Sequence, residues 1–112
     1  MAIISNLTID QGTSFTADID VSDIDGNVLN LTGHTAAGQM RKSYASTTAT
    51  DFTASIHSAA NGTVRITLTP TVTNALKAGR YVYDVEITKT STGEVTRIVE
   101  GQIEVTPGVT RA

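Results

Sequence analysis

Side chains that could coordinate a cation cluster after the first long alternating segment. Asp23, Asp25 and Asn27 surround Gly26 and form the beginning of a calcium-loop pattern. Such a loop needs an acidic ligand at its twelfth position, which here is His34. The set of oxygen ligands is therefore incomplete, and we interpret the segment as a plain Asp-Gly turn, so no metal is expected.

Groups that could act in catalysis are sparse. His34 and His57 are the 2 histidines, and neither has a second metal ligand at a recognised spacing. Cysteine is absent, which removes thiolate nucleophiles, thiolate ligands and disulfides together. The sequence contains neither a Gly-x-Ser-x-Gly elbow nor a Gly-rich phosphate loop. We therefore expect no enzymatic activity and no cofactor.

Charge and hydropathy restrict the classes of partner. The net charge is -3, so there is no basic excess to neutralise a nucleic-acid backbone. No apolar run approaches the roughly 20 residues of a membrane span. The first residues also lack a basic segment followed by an apolar one, which is the pattern of an export signal. We expect neither nucleic acid nor a membrane as a partner, and synthesis in the cytoplasm without a signal peptide.

The elements that would carry any site are short strands. Threonine, valine and isoleucine are abundant, and such β-branched side chains favour the pleated surface of a sheet. Apolar and polar residues alternate at 15–21, 52–56, 64–68 and 81–87, which predicts strands with one buried face. Asn61-Gly62 separates two of these segments and indicates that they pair as a hairpin.

The last strand, at residues 95–106, breaks its own alternation. Val99 and Ile103 share one parity, whereas Ile98 lies on the other. Arg97 would point inward if the alternation continued upstream. A β-bulge near Arg97 and Ile98 reconciles the two halves of the strand, and we predict one there.

A structural constellation precedes the penultimate strand. Leu76, Gly79, Tyr81 and Tyr83 stand where sandwich proteins carry a tyrosine corner, in which a tyrosine hydroxyl bonds back to the preceding connection. Apolar residues within 71–78 have helical spacing, so one short helical turn is predicted immediately before this corner. We assign these tyrosines a structural role.

The number and spacing of these elements predict the fold class. With an opening strand at residues 3–9, about seven short strands are separated by turn signals. We predict an all-β immunoglobulin-like sandwich of about seven antiparallel strands over residues 1–106, with a barrel as the main alternative. Residues 107–112 leave the last strand through Pro107 and Gly108 and are predicted to form a C-terminal tail.

A set of glycine, threonine and aromatic positions extends over nearly the whole chain. Its members are Gly12, Phe15, Asp25-Gly26, Leu31-Thr32-Gly33, Met40-Arg41-Lys42, Gly62-Thr63-Val64, Leu68-Thr69, Gly79-Arg80-Tyr81-Val82-Tyr83-Asp84-Val85 and Glu100-Gly101-Gln102-Ile103-Glu104-Val105. In these positions the chain resembles an immunoglobulin-like phage family, found at the N-terminus of baseplate upper proteins and as free-standing virion proteins of marine and cyanobacterial phages. The resemblance implies a bacteriophage virion structural protein on the capsid exterior, neck, tail or baseplate, without cofactor or chemistry.

Chain ends and one loop are the predicted contacts with partners. Residues 3–9 carry no Lys, Pro or charge, so this terminal strand is poorly protected against pairing with another chain. The tail could extend onto a neighbour by strand addition. We expect oligomeric assembly with other virion proteins or copies of the chain itself. The candidate contact residues are Ile3, Ile4, Leu7, Tyr44, Pro107, Val109 and Arg111.

A carbohydrate-binding or adhesion module on the virion surface is the alternative function. Sandwich proteins that bind sugars commonly use exposed aromatic side chains as stacking surfaces. Tyr44 is the one aromatic residue of this chain that lies in a clearly polar segment, residues 43–50. The small number of such aromatic residues argues against this alternative.

Overall fold

The computed structural model describes residues 3–23 and 25–109 and contains nine strands and one helix within them. In chain order these elements are β1 (Ile3–Ile4), β2 (Leu7–Asp10), β3 (Phe15–Asp20), β4 (His34–Arg41), β5 (Thr50–Asp51), β6 (Thr53–Ser58), β7 (Thr63–Leu68), α1 (Pro70–Ala75), β8 (Gly79–Lys89) and β9 (Glu94–Thr106). No helix in this described part of the chain is long and apolar enough to cross a membrane.

The strands form two sheets that enclose one core. The larger sheet has the order β1-β9-β8-β4-β5, with β2 also paired to β9, and the smaller sheet has the order β3-β7-β6. Alternate side chains of both sheets point between them, and Val64, Ile66, Val85 and Ile103 are completely buried there. The predicted all-β, immunoglobulin-like sandwich is confirmed, and seven of its strands have four or more residues.

The opening strand differs from the prediction of purely antiparallel pairing. β1 and β2 both pair with β9 in parallel, with Ile3 opposite Val99 and Leu7 opposite Ile103. Alternation in the sequence identifies the face that a strand buries, but it does not identify the neighbouring strand. The first two described strands therefore lie in the larger sheet, beside β9, and β3 is left at the edge of the smaller sheet.

The alternating segment predicted at residues 52–56 begins at Phe52, where the backbone passes from the larger sheet to the smaller one. β5 pairs with β4 in the larger sheet, whereas β6 pairs with β7 in the smaller one. Phe52 lies between them with its side chain buried, and its N–H donates to the Gly38 carbonyl at 2.9 Å. The predicted hairpin of residues 52–56 with residues 64–68 is confirmed as β6 and β7.

The irregular phase of the last strand has the predicted cause. Val85 lies opposite Val99 and Glu86 lies opposite Arg97, so Ile98 is an extra residue on β9. Because of this bulge, Ile98 and Val99 are both buried, at 5% and 3% exposure. Arg97 is exposed on the outer face of the sheet, where its guanidinium pairs with the carboxylates of two neighbours, Asp84 at 3.3 Å and Glu100 at 3.0 Å.

The predicted helical turn is α1, and its buried face includes one residue that the pattern did not indicate. The Thr69 side chain caps the helix by accepting from the Val72 N–H at 3.4 Å, and proline occupies the first turn. Ala75, one of the apolar residues at helical spacing within 71–78, is exposed. Thr73 is completely buried instead, and its hydroxyl donates to the Thr13 carbonyl at 2.7 Å.

Candidate functional site

The tyrosine corner is a structural feature at the start of β8. The Tyr81 hydroxyl donates to the Lys77 carbonyl, four residues upstream, at 2.7 Å. Leu76 is buried just before this bond, and Gly79 begins β8 with a φ of +139°, which favours glycine. The Lys42 ammonium lies 4.7 Å from the centre of the Tyr81 ring. These contacts fix the crossover between the sheets. The Tyr81 hydroxyl has a structural role there, because its proton is donated to the backbone.

The second tyrosine of the constellation anchors the N-terminal strand. The Tyr83 hydroxyl donates to the Ser5 carbonyl at 2.6 Å, and its burial raises the pKa of Tyr83. The Asn6 side chain accepts from the Gln102 N–H at 3.0 Å. A Cβ on Gly101 would collide with the Ser5 backbone, so only glycine lets the junction of β1 and β2 approach β9 this closely.

The exposed edge of the N-terminal strand presents two of the predicted contact residues. Ile3 is 55% exposed and Ile4 is 75% exposed on β1. Among the described residues, β1 has β9 as its strand neighbour on one side and none on the other. Leu7 was predicted as a contact, but it is half-buried and packs against the core, because it shares the inward parity of buried Ile9.

The Tyr44 ring is 86% exposed in the loop that connects β4 and β5. It borders a shallow cleft of about 320 Å³ on the outer face of the larger sheet. The cleft has polar side chains that alternate outward from β4, β8 and β9, namely Gln39, Arg41, Asp84, Glu86, Arg97 and Glu100. An exposed aromatic ring next to hydrogen-bonding and charged groups can stack and orient a polar ligand.

The tail begins where β9 ends. Pro107 is exposed and the Val109 side chain is 98% exposed. The Gly108 N–H donates to the Gln11 side-chain oxygen at 3.1 Å. This hydrogen bond connects the described part of the tail, residues 107–109, to the sandwich. Arg111, the remaining predicted contact, lies outside the described residues.

A groove of about 800 Å³ opens along the side of the sandwich between β1 and the end of β3. Its apolar lining comprises Ile3, Val21, Leu29, Ile87 and Ile98, and its polar lining includes Asp20, Asp23, His34, Lys89 and Glu94. Sequence reasoning missed this groove because its residues come from five separate segments. The one available signal was the apolar pair Leu29 and Leu31 in a segment that had no clear strand pattern.

No family model and no curated protein matches the chain. Solved structures that are similar to it include InlP of Listeria monocytogenes, with a TM-score of 0.50 and 18% identity over 91% of this chain. The chain spans 26% of the length of InlP, so this likeness concerns the fold alone. The NK cell receptor Nkp44 has a TM-score of 0.49 at 14% identity, with 95% of this chain and 99% of the receptor covered. A family 123 glycoside hydrolase from Clostridium perfringens has a TM-score of 0.44 at 12% identity, with 96% of this chain and 24% of the enzyme covered.

The Asp-Gly turn predicted after β3 is present. The Asp23 carboxylate accepts from the Asp25 N–H at 2.9 Å and from the Asn27 N–H at 3.0 Å, and Gly26 has a φ of +84°. The carboxylate therefore organises its own turn. In residues 3–23 and 25–109, no three histidine, aspartate or glutamate side chains gather in a way that could hold a metal ion.

The structure does not bring the predicted contact residues together on one surface. Ile3 lies opposite Val99 in the middle of β9, whereas Val109 lies beyond Thr106, where β9 ends. Tyr44 belongs to the loop after β4, on the outer face of the sheet. The molecule thus offers three separate surfaces, which are the β1 edge, the Tyr44 cleft and the tail.

Proposed function

We propose that this protein is a non-enzymatic virion structural protein of a bacteriophage that docks onto other virion subunits or onto copies of itself. The observation that carries the proposal is the edge strand β1, which exposes Ile3 and Ile4 beside an unpaired strand edge. The resemblance to immunoglobulin-like phage modules supports the virion as the setting. The particle site would be the capsid exterior, neck, tail or baseplate.

The chemistry of this edge favours protein contact. A strand edge offers main-chain N–H and C=O groups, and monomeric proteins usually protect such an edge with Lys, Pro or a bulge. β1 is only two residues long but has none of these, and burying its apolar side chains against a partner is favourable. The exposed Val109 of the tail provides a second apolar contact, at a distance from the first.

Purified particles provide the test of this proposal. The protein should be found in stoichiometric amounts in gradient-purified particles by mass spectrometry, and Ile4→Asp should reduce its incorporation. Val95→Asp is the matched control, because Val95 is a similarly exposed apolar residue, at 56% exposure, outside β1. Absence of the protein from particles, with synthesis only early in infection, would contradict a structural role.

A carbohydrate-binding or adhesion function is the second candidate, and the cleft beside Tyr44 favours it. A sugar ring stacked on Tyr44 would have Gln39, Asp84 and Arg97 within the same cleft as hydrogen-bonding groups. A glycan array should then give a signal that Tyr44→Ala abolishes and Tyr44→Phe retains, because phenylalanine keeps the stacking surface. An array without signal would eliminate this candidate.

A further inference from the structure

The smaller sheet is incompletely covered at β3. The inward side chains of β7, Val64 and Ile66, are completely buried. Their direct cross-strand partners on β3, Ile19 and Ala17, point toward the same core but are only half-buried. Residues opposite one another on one face of a sheet share the same cover from the other sheet. The difference therefore arises from the outer side of β3, where the described residues place no further strand.

The groove between β1 and β3 continues this uncovered side. Because β1 pairs with β9 instead of crossing to β3, Ile87 and Ile98 of the larger sheet and Val21, which follows β3, line an open space of about 800 Å³. His34 also lines the groove, and its Nδ1 is buried without a hydrogen-bond partner among the described residues. An unpaired buried nitrogen is costly, so a ligand that supplied a partner would relieve that cost.

The outward face of β3 is acidic and therefore favours a basic partner. On its paired side, Asp18 of β3 lies opposite Arg65 of β7, with Nε and Oδ1 2.7 Å apart. This guanidinium hydrogen bond lowers the pKa of the Asp18 carboxyl. Asp20 is exposed next along the strand and accepts from the Thr63 hydroxyl at 3.1 Å. Two carboxylates on one edge strand favour a basic residue directly across from them.

We infer that β3 and the adjacent groove bind an extended segment of a partner protein that adds as a strand beside β3. Its inward side chains are apolar and enter the groove, and its outward side chains are basic and lie opposite Asp18 and Asp20. On the free side of β3 the segment thus resembles β7, in which Arg65 lies opposite Asp18, but it has a basic residue where β7 has Thr63 opposite Asp20. The inference rests on the proposed docking function and names a second docking surface with the chemistry of its partner.

A peptide with the sequence of Thr63–Leu68 is a direct probe, because this sequence already pairs with β3 in the required register. NMR titration of the purified full chain should show shifts at β3, Leu29 and Ile98. The same peptide with Arg65→Glu should bind about tenfold more weakly, because it places a carboxylate opposite Asp18. Shifts at β6 and β7 as large as those at β3 would overturn the inference, since exchange of the peptide with β7 would perturb both neighbours of β7.

Two adjacent residues of β1 provide matched protein variants. Ile3 lines the groove and Ile4 does not, although both are exposed. Ile3→Asp should weaken the peptide at least about tenfold by placing a charge at the apolar groove, whereas Ile4→Asp should leave its affinity unchanged. Equal effects of both variants, or no peptide binding at all, would overturn the inference.

Sedimentation distinguishes a second copy from a partner segment. Self-association of the purified chain that Ile3→Asp abolishes and Ile4→Asp leaves intact would identify a second copy as the occupant of the groove and overturn the inference as stated. Because these tests use peptide and purified protein, their failure is distinguishable from failure of the virion proposal. The latter depends on incorporation of the Ile4→Asp variant into particles.

Discussion

The two halves of the sandwich are held by different side-chain hydrogen bonds. The corner half comprises α1, the first five residues of β8 and β9 from Gly101 onward. There the Gln11 amide donates to the Leu76 carbonyl at 2.8 Å, and Thr73 donates to Thr13 at 2.7 Å, across separations of 65 and 60 residues. The groove half comprises residues 21–33 and the turn between β8 and β9. Its bonds at Asp23 and Asn30 join residues only two to four positions apart, and its long-range bond, from the Thr90 hydroxyl to the Gly33 carbonyl, is exposed.

This difference separates stability from binding. Buried long-range bonds fix the corner half, because a broken bond there would leave a polar group without a partner. The local turns of the groove half need no such cover and leave apolar side chains accessible in the groove. Binding surfaces are commonly carried by the part of a scaffold with few buried contacts.

The largest expected contrast compares two glycine positions. Gly101→Ala should reduce the free energy of unfolding by about 3 kcal/mol, because its methyl group would collide with the Ser5 backbone. Gly93→Ala, in the turn of the groove half, should cost about 1 kcal/mol from its φ of +75° alone, since nothing lies within 4 Å of the new Cβ. Urea denaturation measures both values, and equal costs would remove the distinction between the halves.

Two threonine hydroxyls provide the next contrast. Thr73→Val should cost about 2 kcal/mol because the Thr13 carbonyl loses a completely buried donor. Thr90→Val removes an exposed bond to the Gly33 carbonyl, 2.8 Å in length, and should change stability by no more than about 0.5 kcal/mol. Thermal unfolding of the pair is the measurement. A larger loss of stability in Thr90→Val than in Thr73→Val would show that side-chain hydrogen bonds stabilise the groove half more than the corner half.

Much of this organisation could be predicted from the sequence, since it depends on local pattern. The phase change at Ile98 predicted the bulge, because a strand has a side-chain period of two and one extra residue reverses it. Glycine and tyrosine spacing likewise predicted a tyrosine corner within residues 76–83, and the structure gives its bond to Tyr81. In both cases the partner lies on a neighbouring or preceding segment.

The groove could not be predicted, because it depends on which strands are neighbours. Ile3 and Val21 are 18 positions apart in the sequence, and they line one space only because β1 pairs with β9 and not with β3. Alternation describes the face of each strand and is silent about its pairing. The same limit hid the change of sheets at Phe52, where alternation continues while the neighbouring strand changes.

Removal of the two tyrosine hydroxyls tests the hydrogen bonds of the corner half and should have a smaller effect on stability. Tyr81→Phe and Tyr83→Phe should each cost about 1 kcal/mol, because each removes one donor from a partly buried backbone carbonyl. Tyr44→Phe is the control, and it should be neutral because the Tyr44 ring is exposed. If denaturation shows no loss at either corner position, the hydroxyl bonds do not stabilise this half.

The smallest expected effect on stability is at the tail, where the corner half ends. Among the described residues of the tail, 107–109, deleting 107–112 removes one partly buried hydrogen bond, from the Gly108 N–H to the Gln11 side chain, and the exposed side chain of Val109. The melting transition should therefore stay nearly unchanged, within about 0.5 kcal/mol of unfolding free energy. Under the proposed function, the same deletion should reduce incorporation into particles, because the tail would contact a neighbouring subunit. Val109→Ser is the finer variant, since it removes the apolar contact and keeps the tail. If both variants assemble as well as the full chain, the tail has no docking role, and the contacts of this protein are confined to β1, β3 and the Tyr44 cleft.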